Sequence, residues 1–127
     1  MAEVTIEKNE KVAQMNFGSI YPHYLNRIEK HGRTKKELDQ VILWLTSYDQ
    51  NKLESFIAGN GTFRDFFEGA KIHRNANMIK GVVCGYRIEE ISEEFALYRD
   101  CRRMEKLIDE LAKGRKMEKI LRKKKIT

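Results

Sequence analysis

The sequence predicts an all-α fold, a single compact domain of five or six helices. Three observations support this prediction: apolar residues recur at helical spacing, capping motifs precede two of the periodic segments, and the chain contains one proline. The alternative is an α+β fold with a small hairpin around Ile79–Ile88. A chain of 127 residues is long enough for one domain over residues 1–127.

The first residues of the chain show no clear periodicity, so we expect a loose N-terminal arm over about residues 1–14. Ser19 is then a candidate N-cap for the first helix. Pro22 would lie in its first turn, where a missing N–H breaks no hydrogen bond. Gly32 is typical of a helix end because glycine readily adopts a left-handed backbone.

The clearest helix signal follows Gly32. Thr34 and Glu37 have the spacing of a capping box, and apolar residues continue at helical spacing as far as Tyr48. We therefore expect a helical hairpin over residues 19–48 at the centre of the fold. Two further helices are expected to start at Asp49 and at Thr62.

The segment Ile79–Ile88 fits two structures. Val82 and Val83 favour a strand, whereas the apolar positions also match one face of a helix. We prefer the helix because a strand here has no evident partner elsewhere in the sequence. A final apolar stripe from Leu97 to Leu111 predicts the long helix that closes the fold.

The net charge of +6 is concentrated at one end of the chain. The C-terminal segment, about residues 113–127, is basic, while the rest is nearly neutral. We interpret this segment as a solubilising helix end whose cations favour the helix dipole. The alternative is weak, salt-sensitive binding of nucleic acid. The candidate phosphate-binding residues are Lys116, Lys119, Arg122, Lys123, Lys124 and Lys125.

The best candidate for a binding site is the group Tyr86, Arg87 and Glu90. A guanidinium beside carboxylates suits an acidic ligand. Trp44 and His23 could line the same pocket if their helices pack closely. The simpler interpretation is that Arg87 and Glu90 form an ion pair that holds this segment to a neighbouring helix.

Several classes of site are not expected. Cys84 and Cys101 have neither a paired motif nor a histidine at metal-ligand spacing, so we predict no metal, no cofactor and two reduced, buried thiols. No apolar run reaches the roughly 20 residues of a membrane span, and the N-terminus does not resemble a secretory signal. We expect a cytoplasmic protein.

Seven short segments of the chain match the sequence pattern of one known family. They are Tyr21-Pro22, Gly32–Lys35, Trp44–Thr46 with Tyr48, Gly81–Gly85, Arg87–Ile91, Asp109–Gly114 and Met117–Arg122. On these segments the chain resembles a bacterial family known as domain of unknown function 2200. It departs from the family pattern at Ser47, where glycine is expected, and at Ser92-Glu93, where Asp-Pro is expected. The resemblance implies a small cytosolic domain and supplies no catalytic residue.

Three function classes follow. The first is a non-enzymatic binding or adaptor domain that acts on another protein or on a second copy of itself, because no catalytic motif stands out. The second is auxiliary nucleic-acid binding through the basic segment. The third is a small-molecule pocket or an enzyme around Trp44, Tyr86, Arg87 and Glu90.

Overall fold

The helical prediction is confirmed, with one small hairpin added. A computed structural model describes residues 3–122. Over this range the fold is mostly helical and contains one antiparallel two-stranded hairpin. The elements are α1 (Ile6–Ala13), α2 (Phe17–Glu29), α3 (Lys35–Thr46), α4 (Gln50–Ala58), α5 (Phe63–Glu68), β1 (Val82–Val83), β2 (Tyr86–Arg87), α6 (Ala96–Ala112) and α7 (Met117–Ile120), with short 3₁₀ turns at Arg74–Met78, Ile88–Glu90 and Glu93–Phe95.

Helix α6 lies at the centre of the fold. It contacts α1, α2, α3, α5, α7 and the hairpin strand β1. Its predicted apolar stripe is confirmed, since Met104, Leu107, Ile108 and Leu111 are all fully buried. Each such side chain contributes about 1.5–3 kcal/mol when it leaves water. The elements around α6 therefore share one main hydrophobic core.

The capping signals in the middle of the chain are also confirmed. The Thr34 hydroxyl accepts a hydrogen bond from the Glu37 backbone N–H at 3.2 Å, and the Glu37 carboxylate accepts one from the Thr34 N–H at 3.0 Å. Thr62 caps α5 with Asp65 in the same reciprocal manner, and Asp49 caps α4 by accepting a hydrogen bond from the Lys52 backbone N–H at 2.8 Å. These helices begin where the sequence predicts because their first free N–H groups are satisfied by neighbouring side chains.

Helix α2 begins earlier than predicted. Its N-cap is Asn16, whose side-chain oxygen accepts a hydrogen bond from the Ser19 backbone N–H at 2.8 Å. The prediction of Ser19 as the cap is therefore wrong. Pro22 consequently lies inside the helix rather than in its first turn.

The N-terminal segment contains a helix that we did not predict. Residues 6–13, expected to belong to a loose arm, form α1 and pack against α6. Thr5 caps this helix by accepting a hydrogen bond from the Lys8 N–H at 3.1 Å, and Ala13 is fully buried. The packing surface is supplied by α6, which lies far away in the sequence, so local periodicity gave little sign of it.

Our preference for a helix over Ile79–Ile88 is wrong, and the hairpin alternative is confirmed. Val82 pairs with Arg87 and Val83 pairs with Tyr86, so each strand is the other's partner. The two turn residues both have a left-handed backbone, with φ of 53° at Cys84 and 84° at Gly85. This geometry matches the type I′ turns that favour tight two-residue hairpins.

Candidate ligand-binding cleft

A cleft of about 410 Å³ opens where the hairpin meets the N-terminal segment and the turns before α6. One wall comes from β2 and the 3₁₀ turn after it, and another comes from the residues just before α1. The lining residues are Glu3, Val4, Tyr86, Arg87, Glu90, Ile91, Ser92 and Phe95.

Three of the five predicted pocket residues meet at this cleft. Tyr86 and Arg87 are consecutive on β2, so their side chains leave opposite faces of the strand. Tyr86 is buried, whereas Arg87 is exposed. The chain then turns through Ile88–Glu90, and this turn brings Glu90 back to the same cleft.

His23 and Trp44 do not belong to this group. His23 is an exposed residue of α2. Trp44 lies on α3 and stacks on His73, with ring centroids 4.3 Å apart. Neither residue lines the cleft, so the predicted five-residue pocket is reduced to Tyr86, Arg87 and Glu90.

The charged groups of the cleft do not neutralise one another. Within residues 3–122, Glu3, Arg87 and Glu90 form no ion pair. The predicted Arg87–Glu90 pair is therefore absent from this part of the chain. The reason is local: the segment is a strand followed by a 3₁₀ turn rather than the α-helix on which residues three apart would meet.

The acidic neighbour Glu89 has a structural role. Its carboxylate accepts a hydrogen bond from the Gly81 backbone N–H at 3.0 Å, and this bond lowers its pKa. The Ile88 N–H also donates to the Gly81 carbonyl at 2.9 Å. Together these bonds close the base of the hairpin and fix the start of the turn that carries Glu90.

Tyr86 is held by contacts with two helices. Lys8 of α1 donates a hydrogen bond to its phenol oxygen at 2.8 Å, and this bond is the main cause of a lowered Tyr86 pKa. Tyr98 of α6 packs edge-on against it, with ring centroids 5.3 Å apart. Tyr86, Ile91 and Tyr98 form a small apolar cluster under the cleft, separate from the main core.

Arg102 of α6 contacts both tyrosines of this cluster. It donates to the Tyr98 phenol at 2.6 Å and to both carboxylate oxygens of Glu105 at 2.8 Å. Its guanidinium also lies 4.7 Å from the Tyr98 ring centroid and 5.6 Å from that of Tyr86. Burial alone would lower the pKa of Arg102, but Tyr98 and Glu105 outweigh burial and raise it.

The two thiols lie beside the same carboxylate. The Cys84 Sγ is 3.4 Å from one oxygen of Glu105, and the Cys101 Sγ is 3.8 Å from the other. Cys101 is buried as predicted, whereas Cys84 is exposed at the hairpin tip, so the prediction of two buried thiols is wrong for Cys84. Partial desolvation of Cys84, the full burial of Cys101 and the charge of Glu105 raise the pKa of the two thiols and keep both protonated.

The described residues form neither a metal-ligand cluster nor a membrane-spanning helix. Over residues 3–122, no three His, Cys, Asp or Glu side chains come together as a set able to hold a metal ion. None of the helices in this range combines the length and apolar character needed to cross a bilayer.

The basic segment is only partly described. Lys116 and Lys119 are exposed. Arg122, in contrast, is half-buried and paired with both carboxylate oxygens of Glu110. Ile120 is fully buried, so this end of the chain contributes to the core. Lys123, Lys124 and Lys125 lie outside the described residues.

Several residues of the site were missed by the sequence analysis. Glu3 and Val4 reach the cleft because α1 packs against α6, and no local pattern indicates that contact. Arg102, Tyr98 and Glu105 are different, since their spacing of four and three residues on a predicted helix already places them on one face. That spacing could have identified the support beneath Tyr86.

Comparison with known proteins identifies the family. The model for the uncharacterised protein family conserved in bacteria, DUF2200, matches residues 11–122. The chain belongs to this family. Tyr86, Arg87 and Glu90 all lie within the part that the family model covers.

The family fold is also seen in a solved structure. The chain is similar to the crystal structure of the uncharacterised protein SP1917, with 32% sequence identity and a TM-score of 0.82. The alignment covers 89% of this chain and 92% of that one. No curated protein matches the chain in sequence.

Proposed function

We propose that this protein is a small-molecule-binding domain and that its ligand occupies the cleft of Tyr86, Arg87 and Glu90. The observation that carries the proposal is that Arg87, Glu90 and Glu3 meet around one cavity of about 410 Å³. Ligand sites commonly have volumes of roughly 300–1,000 Å³ and place a few polar groups among apolar ones. Val4, Ile91 and Phe95 supply the apolar part here.

The free charges of the cleft support this role. An exposed ion pair would stabilise the fold by only about 0–1 kcal/mol. Arg87 and Glu90 therefore lose little stability by remaining apart, and each keeps its hydrogen-bonding groups for a ligand. We assign the cleft to binding rather than to serine-nucleophile catalysis, because Ser92 has no histidine beside it among the lining residues.

We also propose that the protein works in the cytoplasm. The free thiols of Cys84 and Cys101 support this location, since reduced cysteines are typical of reducing compartments.

A thermal-shift screen of small amines, carboxylates and zwitterions tests the binding role. A ligand that binds only the folded state raises Tm, and the rise grows with the ratio of free ligand concentration to Kd. We expect at least one class to raise the Tm of the natural protein and to lose most of that effect in the double variant R87Q/E90Q. The matched control is R74Q/E68Q, which changes an exposed arginine and an exposed glutamate outside the cleft. Equal shifts in both variants would contradict the proposal.

A protein-binding role is the second candidate. The observation that favours it is the exposure of two large apolar side chains, with Ile6 67% and Val82 44% exposed. Exposed apolar surface favours association with a partner or with a second copy of the chain when it forms one contiguous patch, so this role requires Ile6 and Val82 to contribute to a shared surface. Sedimentation of the natural protein and of I6S/V82T over a range of concentrations tests self-association. If the natural protein and I6S/V82T are both monomeric at every concentration, self-association through this surface is contradicted.

A further inference from the structure

We propose that the ligand of the cleft is a small zwitterion of the amino-acid class, with one ammonium group, one carboxylate group and an apolar frame. This inference rests on the proposed function, since it names the chemistry of the ligand that the cleft binds.

The charges that line the cleft select for such a ligand. Arg87 offers a planar guanidinium, which binds a carboxylate through two parallel hydrogen bonds. Glu3 and Glu90 offer carboxylates, which accept hydrogen bonds from an ammonium group. A dianion such as a phosphate would meet one cation and two like charges. A simple amine would leave Arg87 without a partner, so a zwitterion uses the lining most completely.

The apolar side chains of the cleft suit the frame of the same ligand. Phe95, Ile91 and Val4 lie beside the charged groups. An aromatic or branched side chain placed against them would leave water and add to affinity in proportion to the apolar area buried. The selectivity expected is for amino acids with large apolar side chains.

The support beneath Tyr86 makes this wall rigid before a ligand arrives. Lys8 holds the Tyr86 phenol, and Tyr98 packs edge-on against its ring. Arg102 in turn fixes Tyr98 and is itself held by Glu105. A wall that is ordered in the free protein reduces the entropy lost on binding, and it allows a small ligand to bind with few contacts.

Three probes that share a phenylethyl frame separate the charges of the ligand. L-Phenylalanine carries both charges, phenethylamine carries only the ammonium group, and 3-phenylpropanoate carries only the carboxylate. We expect calorimetric titration at low salt to give the tightest binding for L-phenylalanine. Each missing charge should weaken binding about tenfold or more, since a charge-assisted hydrogen bond is lost.

Two variants of exposed residues assign each charge to its partner. In R87Q, the affinity for L-phenylalanine should fall to that for phenethylamine. The affinity for phenethylamine itself should not change. In E90Q, L-phenylalanine should fall towards the affinity of 3-phenylpropanoate. The control R74Q/E68Q should bind all three probes as the natural protein does.

The outcomes separate this inference from the proposed function. If a singly charged probe binds as tightly as L-phenylalanine and R87Q/E90Q abolishes its binding, the zwitterion inference is wrong and the cleft is still a ligand site. If none of the three probes binds, the zwitterion inference is also wrong. The thermal-shift screen then decides whether the cleft binds a small molecule of another class. Binding of L-phenylalanine that survives R87Q/E90Q overturns both proposals.

Discussion

At the residue scale, the phenol of Tyr86 differs from the other tyrosines of the chain. Its pKa is lowered because Lys8 donates a hydrogen bond that favours the ionised form. Burial raises the pKa of the remaining tyrosines, so Tyr86 should lose its proton first as the pH rises. The tyrosines with raised pKa are Tyr21, Tyr24, Tyr48 and Tyr98.

We predict that Lys8→Met moves the first tyrosine ionisation to higher pH. The variant removes the cation and the hydrogen bond that favour the phenolate, so the proton is held more tightly. Ultraviolet absorbance followed through a pH titration measures the step, and Tyr86→Phe identifies it by deleting it. If Tyr86→Phe deletes the step but Lys8→Met leaves its midpoint unchanged, α1 does not hold Tyr86 in solution.

At the element scale, the hairpin depends on its two-residue turn. Cys84 has a left-handed backbone, which costs a non-glycine residue about 1–2 kcal/mol. Asparagine tolerates this conformation better and is preferred before glycine in type I′ turns. We predict that Cys84→Asn stabilises the fold by about 0.5–1 kcal/mol, measured by urea unfolding.

Cys84→Val is the matched control for the turn. A β-branched side chain fits the left-handed region poorly, so this variant should be less stable than the natural protein. Equal midpoints for the asparagine and valine variants would show that the turn does not limit stability.

The short helix α7 ties the C-terminal segment to the core. Ile120 is fully buried and α7 contacts α6. We predict that Ile120→Ala destabilises the fold by about 2–5 kcal/mol through the cavity that it leaves. Lys119→Ala, at the exposed neighbouring position, should change stability by no more than about 0.5 kcal/mol. Thermal unfolding measures both variants. Comparable losses of stability in Ile120→Ala and Lys119→Ala would contradict the burial of Ile120 in the core.

Local signals explain which elements could be predicted. Thr34 with Glu37 and Thr62 with Asp65 satisfy the N–H groups of their own helices, so a few consecutive residues carry the information. Helix α1 is short, and the surface that it packs against lies on α6. The hairpin is harder to predict, because valines beside glycines are compatible with a helix or a strand, and only the pairing of Val82 with Arg87 decides between them.

At the scale of the whole molecule, the same reasoning explains the site. Tyr86, Arg87 and Glu90 are within five residues of one another, so any tight turn could bring them together. His23 and Trp44 required a particular packing of α2 and α3 against the hairpin, and sequence spacing carries no information on it. Glu3 joins the cleft through the unpredicted contact of α1 with α6.

At this scale the alternative interpretation of the basic segment, weak and salt-sensitive binding of nucleic acid rather than a solubilising helix end, makes its own prediction. The variant K116Q/K119Q removes two positive charges from this segment. Each lysine bound to a phosphate releases about one counterion, so the slope of log affinity against log salt concentration should become shallower by about one to two. Fluorescence anisotropy with a short duplex measures this. The variant spares the buried Ile120, so the fold is kept. An unchanged slope would exclude these lysines from binding.

The central claim is that the cleft of Tyr86, Arg87 and Glu90 binds a small ligand, and a backbone amide spectrum tests it most directly. We would record ¹H–¹⁵N correlation spectra of the natural protein and R87Q/E90Q with increasing L-phenylalanine. The account predicts saturable shifts confined to the amides of Val4, residues 86–95 and their neighbours, with none in the variant. Shifts centred on Trp44 and His73, or shifts that persist in R87Q/E90Q, would contradict it.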